Sequence, residues 1–118
     1  MNKCITIFLL LGISFNTYAQ DQDAKQLHQT ARGFMQQNDF SNAALVLNRA
    51  TLLEPNNIDI KKDLALNYYF QKEFDKALDV LKLLISNDQA DDQCYQIAGD
   101  IYFTLEQPKD CEKIYKKV

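Results

Sequence analysis

Few side chains in this 118-residue chain could do covalent, acid–base or metal chemistry. His28 is the only histidine, so a histidine-based metal cluster cannot be assembled. Gly12, Gly33 and Gly99 are too widely separated to form a phosphate-binding loop. Carboxylates are scattered along polar segments, without an apolar pocket suited to acid–base work. The sequence therefore predicts a protein that is not an enzyme and holds no cofactor or metal.

Two of the three cysteines, Cys94 and Cys111, lie in the C-terminal part of the chain. They match no zinc or redox signature, because no Cys-x-x-Cys motif occurs. Cys111 falls where a helix crossing opposite Gly99 needs a small side chain. Cys94 lies five residues before Gly99, about 7 Å along a helix that rises about 1.5 Å per residue. This offset exceeds the reach of a normal disulfide, so we predict that both thiols are free.

The N-terminal residues have the pattern of a bacterial export signal. Lys3 precedes an apolar run from Ile5 to Phe15, and small residues lead to a cleavage site after Ala19. The run is shorter than the roughly 20 residues that a membrane-spanning helix needs, although an uncleaved anchor is the alternative. We predict a signal peptide at 1–19, no stable membrane span after cleavage, and a periplasmic or secreted domain at 20–118.

The charge balance excludes two classes of partner. The full chain has 13 basic and 16 acidic residues, and removal of Lys3 with the signal leaves 12 basic residues against 16 acidic ones. Nucleic-acid binding requires a clustered excess of lysine and arginine, and adhesion to anionic lipid requires a similar excess. We therefore expect neither nucleic acid nor a lipid surface as a ligand.

Small and aromatic side chains recur every 34 residues, which indicates one supersecondary unit used repeatedly. The recurring sets are Ala31, Ala65 and Gly99; Phe34, Tyr68 and Tyr102; Phe40 and Phe74; Ala43 and Ala77. This period divides the chain into units at 24–57, 58–91 and 92–118, the last of them incomplete. A helical array of this kind buries its core between neighbouring units and leaves a broad surface for a partner.

Each unit has the pattern of two helices joined by a tight turn. In the second unit, Ile60, Leu64 and Tyr68 form one apolar helical face, and the polar segment 71–73 interrupts the pattern before the next helix. Asn57 can cap a helix start, and so can the aspartates at 91–92. No segment shows strand alternation, so the sequence predicts an all-α fold.

These features resemble the tetratricopeptide repeat family in period and in small–aromatic pattern, and the match covers residues 24–118, nearly all of the chain that follows the predicted signal. The first unit matches best, the third has Pro108 and Cys111 in place of the usual aromatic and alanine, and no unit carries the family's tryptophan. The resemblance implies a right-handed superhelical solenoid of about three helix-turn-helix repeats. It also implies a protein-interaction scaffold, with a concave groove lined by the first helix of each unit.

The resemblance places seven candidate partner-binding residues on this groove: Arg32, Met35, Lys62, Leu66, Tyr69, Phe70 and Phe103. The aromatic members lie off the apolar face that the repeat defines, and exposed contiguous aromatic groups usually mark a binding surface. Packing of Tyr69 and Phe70 against the neighbouring unit is the alternative. Arg32 and Lys62 could meet an acidic group or lie on ordinary solvated surface. The family's cluster for a terminal carboxylate is absent.

The function expected is therefore binding of a peptide or protein partner in the cell envelope. An alternative function concerns the end of the chain, where the repeat pattern stops within a helix and no polar capping helix follows. We expect this end to expose apolar side chains, which are Ile101, Leu105, Ile114 and Val118. Such an end could pair with another copy, giving a self-assembling structural subunit or homo-oligomer.

Overall fold

The computed structural model describes residues 23–106 and 108–117. The helices in this part of the chain are α1 (Ala24–Gln36), α2 (Phe40–Leu53), α3 (Ile58–Phe70), α4 (Phe74–Ser86), α5 (Asp92–Thr104) and α6 (Pro108–Tyr115). No strand occurs among the described residues. The predicted all-α class is confirmed, whereas the predicted signal peptide at 1–19 lies outside the described residues.

The helices pack in chain order as three helical hairpins. Within the hairpins α1 contacts α2, α3 contacts α4 and α5 contacts α6; between hairpins α2 contacts α3 and α4 contacts α5. The first helices begin at residues 24, 58 and 92, and the second helices at 40, 74 and 108, so both sets advance in steps of 34. This regular stacking of helix pairs is that of a helical repeat solenoid.

Short polar side chains define where the first helices begin. The Asn57 side chain accepts a hydrogen bond of 3.2 Å from the backbone N–H of Ile60, and Asp91 accepts one of 3.0 Å from that of Cys94. Each cap satisfies a backbone donor that the first helical turn leaves without a partner. The predicted caps at both unit boundaries are therefore present.

The turn inside each hairpin contains one residue in the left-handed region. Asn38, Lys72 and Glu106 have φ values of 59°, 59° and 57°, and they are spaced by the repeat length. In the second hairpin the backbone N–H of Glu73 donates to the Tyr68 carbonyl at 2.9 Å, which closes the helix end as in a Schellman motif. The short turn returns the chain directly into the second helix.

Small residues allow the two helices of each hairpin to approach closely. The alanines at these crossings are fully buried: Ala31, Ala43, Ala65 and Ala77. Gly99 has this role in α5, because a Cβ there would lie 2.7 Å from Cζ of Tyr115. The Tyr115 ring thus occupies the space beside Gly99, and the side chain of Cys111, the predicted contact, lies outside the described part of the structure.

The expectation of exposed apolar residues at the last unit is wrong for Ile101, which is fully buried. Ile114 packs against the core cluster that contains Ile101, so α6 covers part of the apolar face of α5. Leu105 is 37% exposed and Val118 lies outside the described residues. Cys94 is a buried free thiol, and burial raises its pKa.

Candidate partner-binding surface

The seven candidate residues lie on the first helices α1, α3 and α5, but their exposure differs. Phe103 is 77% exposed and Phe70 is 50% exposed. The residues that are half-buried are Met35, Lys62, Leu66 and Tyr69, while Arg32 is exposed. Because Met35 and Leu66 pack against the core clusters, the apolar groups most available to a partner are the two phenylalanines.

An aromatic row crosses the boundary between the first two hairpins. The rings of Phe40 and Phe70 stack with centroids 5.3 Å apart, Tyr69 tilts against Phe70 at 5.7 Å, and Phe74 lies 6.2 Å from Tyr69. Phe70 therefore packs on the neighbouring unit through one face and exposes the rest of its ring. Tyr69 is held on both sides, and this packing fixes the position of the exposed part of Phe70.

Beneath this row lies Asn67, a fully buried polar residue that the sequence analysis did not identify. Its side-chain N–H donates to the backbone carbonyl of Phe40 at 2.9 Å, which ties α3 to the first residue of α2. Its amide oxygen has no hydrogen-bond partner among the described residues. The sequence signal for this residue is an amide at a repeat position where the first unit has Gly33 and the third has Ile101.

Arg32 forms an ion pair within the protein. Its Nε lies 2.7 Å from Oδ2 of Asp63 on α3, and Nε2 of His28 lies 2.6 Å from the same oxygen. His28 and Asp63 are mostly shielded from solvent, with side chains 12% and 19% exposed. One carboxylate of the second unit thus holds two side chains of the first unit.

Lys62 is engaged in the same manner one unit further along. Its ammonium lies 2.5 Å from Oδ2 of Asp91, the residue that caps α5. This hydrogen bond lowers the pKa of Asp91 to about 2, aided by the backbone N–H of Cys94, and raises the pKa of Lys62. Arg32 therefore joins α1 to α3, and Lys62 joins α3 to the start of α5. The part of the surface left for a partner is chiefly aromatic.

Neither a metal centre nor a membrane-spanning helix is found in the described residues. No group of three histidine, cysteine or carboxylate side chains is placed there to hold a metal ion. The helices between residues 23 and 117 are also too short or too polar for one of them to cross a bilayer.

Comparison with protein families finds a match. The family model described as tetratricopeptide repeat matches residues 34–101, which is more than half of the chain and includes all of α2, α3 and α4 and most of α5. No curated protein sequence matches this chain.

Proposed function

Because this chain belongs to the tetratricopeptide repeat family, we propose that it is a non-catalytic scaffold that binds a peptide or protein partner in the cell envelope. Tetratricopeptide repeats generally mediate protein–protein interaction and are typically non-catalytic. The partner binds across the first helices, where Phe70 and Phe103 present aromatic surface. We propose no nucleic acid as a ligand, since the chain is acidic overall.

The observation that carries this proposal is the exposure of Phe103 and Phe70 on neighbouring first helices. Large aromatic side chains are enriched among the residues that dominate binding energy at protein interfaces. Phe70 is already held in place by its stack on Phe40, so a partner that covers it restricts little additional side-chain motion. The cations nearby are paired within the chain, so apolar contact supplies most of the binding energy.

Alanine substitution of both phenylalanines tests this surface. Affinity capture from the native source with the wild-type protein is compared with capture by the double variant Phe70→Ala/Phe103→Ala. Loss of two interface aromatic groups is expected to weaken partner binding by at least about 2 kcal/mol, which is roughly thirtyfold. The partner seen with the wild type should therefore be lost, while circular dichroism shows unchanged helicity.

The matched control is Leu52→Ala, because Leu52 is 81% exposed but lies on a second helix, α2. This variant should capture the same partner as the wild type. Equal capture by the double phenylalanine variant would refute the proposed surface. Sedimentation is run in parallel, because a wild-type protein that forms oligomers disrupted by neither variant would favour the self-assembling alternative.

The proposed location rests on the predicted signal peptide at 1–19. Sequencing the N-terminus of protein purified from its native source tests this location directly. Export with cleavage predicts Gln20 as the first residue, and recovery of the protein from the periplasm or the medium. A protein that begins at Met1 and stays in the cytoplasm would contradict the proposal.

A further inference from the structure

A pocket of about 370 Å³ lies between α4 and α6, and it shares no residue with the surface of Phe70 and Phe103. Its floor is apolar and its rim is basic. We call it the lysine pocket and define it by the floor residues Ile85, Tyr102 and Ile114 and the rim residues Lys82, Lys113 and Lys117. Cations from α4, from α6 and from the residues just after α6 therefore surround one buried tyrosine.

At the corresponding position one unit earlier, the tyrosine has partners within the protein's own chain. Tyr68 is the counterpart of Tyr102, and its hydroxyl accepts a hydrogen bond of 3.1 Å from the side chain of Asn48. The ammonium of Lys76 lies 5.6 Å from the centroid of the Tyr68 ring. At the lysine pocket, Lys82 stands in the position of Asn48, and no described residue hydrogen-bonds the Tyr102 hydroxyl.

The charge at this place is opposite to that of the whole chain. The three lysines and Asp110, which also lines the pocket, give a local net charge of +2, against −3 for the full sequence. Within the described residues, none of the three rim lysines forms an ion pair, although Lys62, Lys76 and Lys116 do. The rim thus presents unneutralised cations around an apolar floor.

We propose that the lysine pocket binds an acidic segment of a partner protein, with an apolar side chain on Tyr102 and flanking carboxylates at the lysines. Exposed single ion pairs are weak and screened by salt, so one small anion gains little here. A segment with several carboxylates engages the three lysines together and also buries apolar surface. This binding is separate from that of the phenylalanine surface and does not depend on it.

The expected strength follows from the exposure of the rim. Each exposed lysine–carboxylate pair contributes about two- to fivefold in affinity. Removal of three pairs therefore predicts a loss of roughly tenfold to a hundredfold at low salt. Binding should also weaken as ionic strength rises, because screening shortens the range of these interactions to about 10 Å at 0.1 M salt.

The test is an NMR titration of the purified protein with two synthetic peptides. The acidic probe is Asp-Glu-Phe-Glu-Asp, and the neutral probe is Asn-Gln-Phe-Gln-Asn, both blocked at their ends. The pocket variant is Lys82→Gln/Lys113→Gln/Lys117→Gln. The control variant, Lys61→Gln/Lys72→Gln/Lys109→Gln, removes the same amount of charge from lysines outside the pocket.

The proposal expects the acidic probe to shift the signals of Tyr102 and Ile114, the pocket variant to bind it at least tenfold more weakly, and the control variant to bind within twofold of wild type. Phe103→Ala should also bind it as wild type does, which separates this result from the proposed function. Equal loss in both lysine variants, equal binding of the neutral probe, or shifts centred on Phe103 would overturn it. Retention on phosphatidylserine vesicles without peptide binding would do so as well.

Discussion

Asp91 has two structural roles at the N-terminus of α5. One carboxylate oxygen accepts the backbone N–H of Cys94 and so caps α5, while the other accepts from the ammonium of Lys62 on α3. Both interactions require the ionised carboxylate or are strengthened by it. Folding and the protonation of this residue are therefore linked.

This linkage predicts acid sensitivity that depends on Asp91. The pKa is about 2 in the folded protein and near 3.8 in the unfolded chain. A lowered folded pKa gives stability that is present above pH 3.8 and is lost as the pH falls through 2. Asp91→Asn keeps a capping side chain but removes the titrating group. It should therefore reduce the stability lost between pH 4 and pH 2 by about 1 kcal/mol, a small value because the half-exposed pair is screened by solvent.

Urea unfolding at a series of pH values measures this effect. Asp23→Asn is the control, because Asp23 caps α1 through a bond of 2.8 Å to Gln26 and has no ion pair among the described residues. That variant should keep the acid dependence of the wild type. If Asp91→Asn also keeps it, the Lys62–Asp91 pair contributes nothing measurable.

Among the structural elements, the turns inside the hairpins require an unfavourable backbone conformation. Each places a residue with a side chain in the left-handed region, which costs an L-amino acid about 1–2 kcal/mol relative to glycine. Asn38 meets this demand at least cost, because asparagine tolerates the conformation. Lys72 and Glu106 have no such advantage, so these turns are held by the packing of the helices on either side.

Lys72→Gly is therefore expected to stabilise the protein. Relief of the left-handed strain exceeds the added entropy of the unfolded chain, and the free energy of unfolding should rise by about 0.5–1 kcal/mol. Lys61→Gly is the control, because Lys61 lies inside α3 and glycine there lowers helix stability by about 1 kcal/mol. Opposite signs in thermal or urea unfolding would support the strain argument, and a loss of stability in both variants would contradict it.

At the scale of the whole molecule, polar contacts between units accompany the apolar core. Asp63 of the second unit contacts His28 and Arg32 of the first, and Lys62 of the second contacts Asp91, which caps the first helix of the third. In a repeat array, stability is close to a sum of unit and interface contributions. Loss of one such contact therefore weakens a specific interface.

Asp63→Asn tests the first interface. The substitution keeps the shape of the side chain but removes the charge that two partners share, so the free energy of unfolding should fall by about 1–2 kcal/mol. Amide exchange should become faster in α1 than in α5, since α1 loses its link to the next unit. Asp79→Asn, on the exposed face of α4, should change stability by less than about 0.5 kcal/mol. Equal effects of the two substitutions would show that the contact is not stabilising.

The sequence predicted the fold well because the period of the repeat is local information. The 34-residue spacing alone marked Ala65 and Ala77 as small residues at equivalent positions of the units, and both are fully buried. It did not predict the partners of Arg32 or Lys62, because Asp63 lies on α3 and Asp91 caps α5, and these contacts depend on how the helices rotate against each other. Ile101 was assigned to an exposed end, but α6 covers it. The sequence also did not show that Phe70 both stacks on Phe40 and leaves half of its surface exposed.

The hydrogen bond from Asn67 to a main-chain carbonyl also indicates which unit could be duplicated without loss of the polar contacts between units. In a protein with a tandem duplicate of residues 58–91, the copy of Asn67 would lie beside the backbone carbonyl of Phe74, which corresponds to Phe40. The copy of Asp63 would lie beside Lys62, which corresponds to His28. Both links would survive in the longer protein. A duplicate of residues 24–57 would bring Gly33 and Gln29 to those places and would form neither link at the new junction. A longer array therefore gains these polar contacts at its new junction only when residues 58–91 are the repeated segment.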